Sequence, residues 1–183
     1  AHQIALIRAV ADHCAGAFAD VMRLAVPPRH AATEAAEQHP WPAPEPSYVP
    51  SGALEDAPGG PRFLEALRRG GRLRAHWQGP PRFFTDRDGA DDWRRGFVQA
   101  CVAALDAHRG VLVLVPDVHD VRRMRDALTA CLGDGCVAEL HSESGPAARY
   151  RTYLAASRGR ARVMVGTRGA CYAPLHDLGL ICL

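Results

Sequence analysis

Lysine is absent from the sequence, and all 22 of its basic side chains are arginine. An abundance of alanine, glycine and proline accompanies this absence, and both are typical of codon bias in a GC-rich genome. Whatever its cause, the absence excludes from these residues any mechanism that needs a lysine ammonium. The net charge of only +2 does not indicate a polybasic nucleic-acid binder, although it leaves room for a local basic face.

Long apolar runs are also absent. No stretch approaches the roughly 20 residues that a helix needs to cross a bilayer. The first residues do not show the basic and then apolar pattern of a secretory signal. With 48% hydrophobic and 23% charged residues, the composition is that of a globular chain. We therefore expect a cytoplasmic protein with no membrane partner.

The six cysteines are not spaced as metal ligands, since no CxxC or CxxH pattern occurs. We therefore predict no metal site in this chain. Cys101 and Cys182 lie in apolar stretches, where a free thiol behaves as a small hydrophobic side chain. The pattern favours reduced, structural cysteines.

The first 60 residues divide into two short helices and a proline-rich segment. Apolar residues at helical spacing predict helices over residues 3–14 and 18–26, ended by Pro27 and Pro28. We interpret residues 1–28 as the end of a preceding domain. Residues 29–60, rich in proline, alanine and glutamate, predict an extended or disordered linker.

The rest of the chain alternates between strand and helix patterns. Strands are predicted at residues 72–78, 111–115, 136–140, 162–165 and 178–183, and helices at 61–69, 90–107, 118–132 and 146–157. Such alternation predicts an α/β fold with a parallel sheet and helices on both faces. Because the last strand pattern runs to the final residue and the chain does not begin with Met, we expect a piece of a longer protein.

Ligands of such sheets bind at the carboxyl ends of the strands. There, residues 166–168 combine a glycine, a hydroxyl and a guanidinium, which together suit a phosphate. From spacing alone, an ordinary turn with a solvated arginine is the simpler explanation.

Three linked motifs favour a functional role for residues 166–168 over an ordinary turn. VLVLVPD at residues 111–117, VAELHSE at 137–143 and RYRTYLAASRGRARVMVGTRGACYAPLHDLGLICL at 149–183 occur in this order. Together they resemble the first helicase lobe of the PriA family of bacterial replication-restart proteins, in helicase superfamily two. The resemblance implies a truncated RecA-like lobe over residues 61–183. Residues 9–31 are similar to the end of that family's amino-terminal DNA-binding domain.

The resemblance also implies a DNA-binding surface. In superfamily-two lobes the loops after the strands at 111–115 and 162–165 contact a single-strand backbone. The residues implied here are Pro116, Asp117, Thr167 and Arg168, and Arg122 and Arg123 add candidate phosphate contacts. The strand-end rule also places His141 at the rim, but a lone histidine is usually structural, and both His141 and Tyr172 are interpreted as structural.

The chain departs from the family at the phosphate loop, whose glycines and lysine grip ATP. The corresponding nucleotide-binding residues, here degenerate, are Gly79, Pro80, Pro81 and Arg82. Proline removes amide donors, and an arginine fork does not replace a compact ammonium. Asp117 stands for the family's Glu and Gly169 for its Ser. We therefore expect no ATP turnover, and no catalytic residue is identified.

The sequence thus predicts a replication-restart protein that binds forked or single-stranded DNA and serves as a scaffold for primosome and helicase-loading proteins. No cofactor is expected in these residues, whereas the resemblance implies zinc in later segments of the parent protein. One alternative is an active ATP-dependent 3′-to-5′ DNA helicase with an atypical phosphate loop. Another is an α/β enzyme for nucleotides or small molecules, which the lack of a nucleophile, base or glycine fingerprint disfavours.

Overall fold

The computed structural model describes residues 2–36, 41–78 and 92–183. Its helices are α1 (His2–His13), α2 (Phe18–Ala25), α3 (Ala31–Ala35), α4 (Gly60–Arg68), α5 (Asp92–Asp106), α6 (Val118–Leu132) and α7 (Pro146–Ser157). Its strands are β1 (Gly110–Leu114), β2 (Val137–Leu140), β3 (Val163–Gly166) and β4 (Leu178–Cys182), and a 3₁₀ turn spans Arg168–Tyr172.

The four strands form one parallel sheet in the order β2-β3-β1-β4. The central pair is in register from Val111 opposite Val163 to Leu114 opposite Gly166. Strand β2 joins the outer side of β3, and β4 joins the other side of β1. The predicted α/β fold with a parallel sheet is confirmed.

Side-chain alternation on the central strands decides which helices cover which face. Val111 and Val113 of β1 belong to a core with helices α5 and α6. Leu112 of β1 and Met164 of β3 point to the opposite face, where they pack against alanines of α7. Successive side chains of a strand alternate between faces, so a continuous apolar run requires cover on both. The sheet is therefore sandwiched between helices, as the apolar runs predict.

The bounds of α6 and α7 follow from local chemistry. Asp117 caps α6, because its Oδ1 accepts the backbone N–H of Asp120 at 2.9 Å. Gly133, with φ of 95°, ends the helix in a conformation that side chains disfavour. Pro146 begins α7, where its fixed φ suits the first turn and no N–H is lost.

Helices α1 and α2 pack together through a small apolar cluster and contact the sheet domain. Gln3 makes the connection: its side-chain amide donates to the Tyr172 carbonyl at 3.1 Å, and its Oε1 accepts the Tyr153 hydroxyl at 3.0 Å. These contacts between residues before and after position 28 place α1 and α2 against the α/β elements. The domain boundaries at 28/29 and 60/61 stay predictions.

The described part of the proline-rich segment lies along the α/β core. Residues 41–46 form no helix or strand, yet the Trp41 indole donates to the Cys136 carbonyl at 3.0 Å. The Glu45 N–H donates to the Leu132 carbonyl at 2.9 Å, which satisfies an acceptor at the end of α6. Hydrogen bonds to the core thus hold this segment in place without a helix or strand of its own.

Gln99 of α5 fastens the same segment further along. Its side chain is 2% exposed, and its amide donates to the carbonyls of Pro50 at 2.8 Å and Gly52 at 2.7 Å. Its Oε1 accepts the N–H of Glu55 at 3.3 Å. A buried amide of this kind is tolerated only with its partners in place.

Two strand predictions need correction. Residues 72–78 form no strand; Trp77 instead packs over Gly96, where an added Cβ would lie 2.6 Å from the ring carbon Cζ3. Strand β4 ends at Cys182 and is an edge of the described sheet, with Ile181 52% exposed. The apolar sequence of residues 178–183 indicates a buried strand instead.

The two apolar-context cysteines are buried, as predicted. Cys101 is fully covered and Cys182 is 8% exposed. A hydrogen bond with the Cys182 thiol, together with burial, raises the pKa of Cys101 well above its usual range. This thiol is therefore protonated at neutral pH and is a poor nucleophile.

Replacing Gln99 by Met should lower the free energy of unfolding by about 2 kcal/mol, because three backbone groups lose a buried partner while the volume is nearly kept. Urea denaturation followed by circular dichroism measures it. Ser47→Ala is the control, since it removes only a hydroxyl bond to the Cys131 carbonyl in the same segment. Equal losses in the two variants would contradict the role given to Gln99.

Candidate functional site

The carboxyl ends of β1, β2 and β3 meet at one rim of the sheet. The Val115 N–H donates to the Gly166 carbonyl at 3.0 Å, and the Thr167 N–H donates to the Leu140 carbonyl at 3.2 Å. These two bonds continue the ladders beyond the strands and hold the three following loops together. A cleft of about 790 Å³ opens beside them.

Two walls form this cleft. One is the sheet rim with α7, and the other is the end of α2 and the Pro27–Pro28 turn. The polar and charged side chains that line it are Arg23, Asp117, His141, Ser142, Arg149, Tyr153, Thr167 and Arg168. The lining holds three guanidiniums and one carboxylate, and although Arg23 is also paired with Asp20 at 3.0 Å, it is more basic than the nearly neutral chain.

Gly166 is a position of close backbone approach. A Cβ added there would lie 2.3 Å from the Leu140 carbonyl oxygen and 2.5 Å from the Ala170 Cβ. Only glycine lets β2, β3 and the 3₁₀ turn come together at this point. The approach of a phosphate to this residue, which the sequence predicts, stays a prediction.

Thr167 and Arg168 follow directly and line the cleft, as predicted for a ligand-facing rim. Thr167 is half-buried at the start of the 3₁₀ turn, while Arg168 is exposed. The pair therefore presents a half-buried hydroxyl and an exposed guanidinium. Both groups can donate hydrogen bonds to a phosphate oxygen.

Pro116 and Asp117 also line the cleft, at the end of β1. The Asp117 carboxylate is engaged with the first turn of α6, where it accepts from Asp120. A carboxylate repels a phosphate, so the contribution of this residue to anion binding lies in shaping the turn.

Arg122 lies apart from the cleft lining. Its guanidinium donates to Glu143 Oε2 at 2.9 Å, with both side chains about half exposed. Arg123 lies 3.8 Å from the Asp120 carboxylate in the same helix turn. These predicted phosphate contacts are thus held in exposed ion pairs in the free chain.

Gly79, Pro80, Pro81 and Arg82, predicted as a degenerate phosphate loop, lie outside the described residues. Within residues 2–36, 41–78 and 92–183, no three His, Cys, Asp or Glu side chains come close enough to hold a metal ion.

Sequence reasoning did not assign Arg23, Arg149 and Tyr153 to this site, and it interpreted His141 as structural. The helix pattern of residues 146–157 carried no signal for Arg149, because a charged helix residue is usually solvated. The packing of α2 and α7 against the rim brings Arg23, Arg149 and Tyr153 to the cleft, whereas His141 lies there at the end of β2.

The chain is similar in sequence to proteins of known name. The chain is 41% identical over 180 residues to a protein of Mycobacterium tuberculosis (strain CDC 1551 / Oshkosh) named "Probable replication restart protein PriA", over 96% of this chain. A Mycobacterium leprae protein of the same name is 37% identical over the same length. The chain is a homologue of the PriA replication restart proteins.

The homology to PriA confirms the resemblance seen in the motifs and extends it over nearly all of the chain. The PriA protein of Synechocystis is 34% identical over 87 residues, or 48% of this chain. The chain spans 26% of the length of the mycobacterial PriA proteins. No family model matches the sequence. None of the helices described here is long and apolar enough to span a membrane.

Gly166→Ala should lower the free energy of unfolding by about 2 kcal/mol, since the added methyl group forces the Leu140 carbonyl away. Gly169→Ala is the matched control, because a Cβ there meets nothing within 4 Å. Thermal denaturation compares the two. A similar stability loss in both variants would show that close packing at Gly166 does not govern the rim.

Proposed function

We propose that this chain belongs to a replication restart protein and binds forked or single-stranded DNA in the rim cleft. The observation that carries the proposal is the basic cleft at the strand ends, in a chain homologous to PriA proteins. A phosphate backbone is the ligand that arginine and threonine side chains at such a rim suit best.

A RecA-like helicase lobe over residues 61–183 is the fold that we propose for the sheet domain. The parallel sheet with helices on both faces supports it. In this view residues 1–28 are the end of an amino-terminal DNA-binding domain, and residues 29–60 are the proline-rich connection, held along the core as described.

The DNA-binding residues of the proposal divide by role. Thr167 and Arg168 contact phosphates directly. Pro116 and Asp117 shape the loop over which the DNA strand passes. Arg122 contributes after leaving its exposed partner Glu143, which costs little because surface ion pairs are weak.

The chain acts, in this proposal, without ATP-driven unwinding. The absence of lysine from the whole sequence supports it, because a phosphate loop ordinarily needs that ammonium. Its role is that of a DNA-bound scaffold for primosome and helicase-loading proteins, and zinc, where present, belongs to later segments of the parent protein.

The variant Thr167→Ala with Arg168→Ala should bind a labelled fork about tenfold more weakly, because one charged and one neutral phosphate contact are lost. An electrophoretic mobility assay at fixed salt measures it. The control is Arg62→Ala, which removes the same charge from an exposed position on α4 outside the cleft lining. Equal binding by the double variant and the native chain would remove Thr167 and Arg168 from the proposal.

A further inference from the structure

His141, at the end of β2, has a buried nitrogen without a partner. Its side chain is only 10% exposed and lines the rim cleft. Nδ1 is covered from solvent and has no hydrogen-bond partner within the described chain. A buried polar atom without a partner destabilises the fold, so such an atom calls for an explanation.

The other ring nitrogen of His141 faces Glu139. Nε2 lies 3.6 Å from Glu139 Oε2, while Oε1 of the same carboxylate accepts from Arg125 at 2.8 Å. That hydrogen bond is the main factor that raises the pKa of Arg125. The carboxylate thus faces Nε2 and leaves Nδ1 for a group from the cleft.

Arg149 of α7 shows the same feature on the same wall of the cleft. Its side chain is half-buried and lines the cleft, and its Nε is covered without a hydrogen-bond partner in the residues described. By contrast, Arg122 and Arg125 of α6 each hold a carboxylate within 2.9 Å. A covered N–H of this kind is satisfied when an acceptor enters the cleft beside it.

We propose that His141 and Arg149 form an oxyanion subsite at the inner side of the cleft, which holds one phosphate group. The inference rests on the proposed function and deepens it, because it assigns two further residues to the same surface. The Arg149 Nε–H is a donor, and Nδ1 of His141 is a donor when both ring nitrogens carry a proton, with the Nε2–H directed at Glu139; phosphate oxygens accept from both. Side-chain rotation, which is ordinary at binding surfaces, opens the subsite to the entering anion.

The side chains beside the proposed subsite favour a phosphate over other anions. Thr167 and Arg168 line the same cleft and extend the row of donors along it. A chain of linked phosphates can occupy several such donors at once, whereas a single carboxylate cannot. The same chemistry is offered by a phosphodiester strand, a nucleotide or free phosphate, so the experiment must separate these sources.

The test measures three probes with the full chain: fluorescein-labelled oligothymidylate of about 15 residues by anisotropy, and ATP and inorganic phosphate by thermal shift. For Arg149→Gln we expect about tenfold weaker oligothymidylate binding. We also expect the slope of log affinity against log salt to fall by about 0.7, which corresponds to one lost single-strand phosphate. His141→Ala should weaken binding about threefold, and His141→Gln, which restores a donor, should recover most of it.

Two variants control for structural effects. Arg151→Gln removes the same charge from an exposed position on α7 outside the cleft lining and should bind like the native chain. Arg149→Lys keeps the charge and should keep the salt slope even if the loss of the planar fork weakens binding. It also serves if Arg149→Gln fails to fold.

The outcomes separate the subsite from the proposed function. Native oligothymidylate binding that Arg149→Gln leaves unchanged in both affinity and salt slope overturns the subsite and keeps the function. Stabilisation by phosphate or ATP that Arg149→Gln abolishes, with no oligothymidylate binding by any variant, keeps the subsite and overturns DNA binding. Indifference of the native chain to all three probes overturns both.

Discussion

The parallel pairing of β1 with β3 is the constraint on which the rest of the molecule depends. Both strands are buried on both faces, and their register sets Leu114 opposite Gly166 at the carboxyl end. That register decides where the following loops begin, so it brings Pro116 and Thr167 to one rim. A slip of one residue would exchange the side chains that face α5 and α6 with those that face α7. The cleft exists because this pairing is fixed.

Those elements whose ends carry their own chemical signals could be predicted from the sequence. Helices α6 and α7 were predicted to their observed bounds. Asp117 caps the start of α6, Gly133 ends it, and Pro146 is the first residue of α7. Residues 72–78 were predicted wrongly, since their alternation resembles a strand whereas Trp77 is held by packing over Gly96. Apolar alternation says that a segment has a buried side. It does not say whether a neighbouring strand or a helix surface covers that side.

The candidate site was predicted only in part, for a related reason. Residues 116–117 and 166–168 could be placed at the rim because the carboxyl ends of parallel strands converge. The same rule placed His141 at the rim, but Arg149 has no spacing that links it to the rim, and Arg23 is more than 90 positions from the rim loops along the chain. Their meeting depends on how α2 and α7 pack, which tertiary contacts such as those of Gln3 decide. Sequence motifs identify functional groups that are neighbours in one loop. Groups that come from different elements are identified only from the tertiary structure.

The attachment of the proline-rich segment to α5 and α6 has a consequence for the order of events during protein synthesis. Trp41 bonds to a residue 95 positions later, and Ser47 to one 84 positions later. A ribosome therefore releases this segment well before its partners exist, and the segment stays unpaired while about half of the chain emerges. Such distant pairings slow folding and prolong the exposure of apolar side chains. Proline, which does not join a strand ladder, keeps the waiting segment from pairing with the edges of other chains.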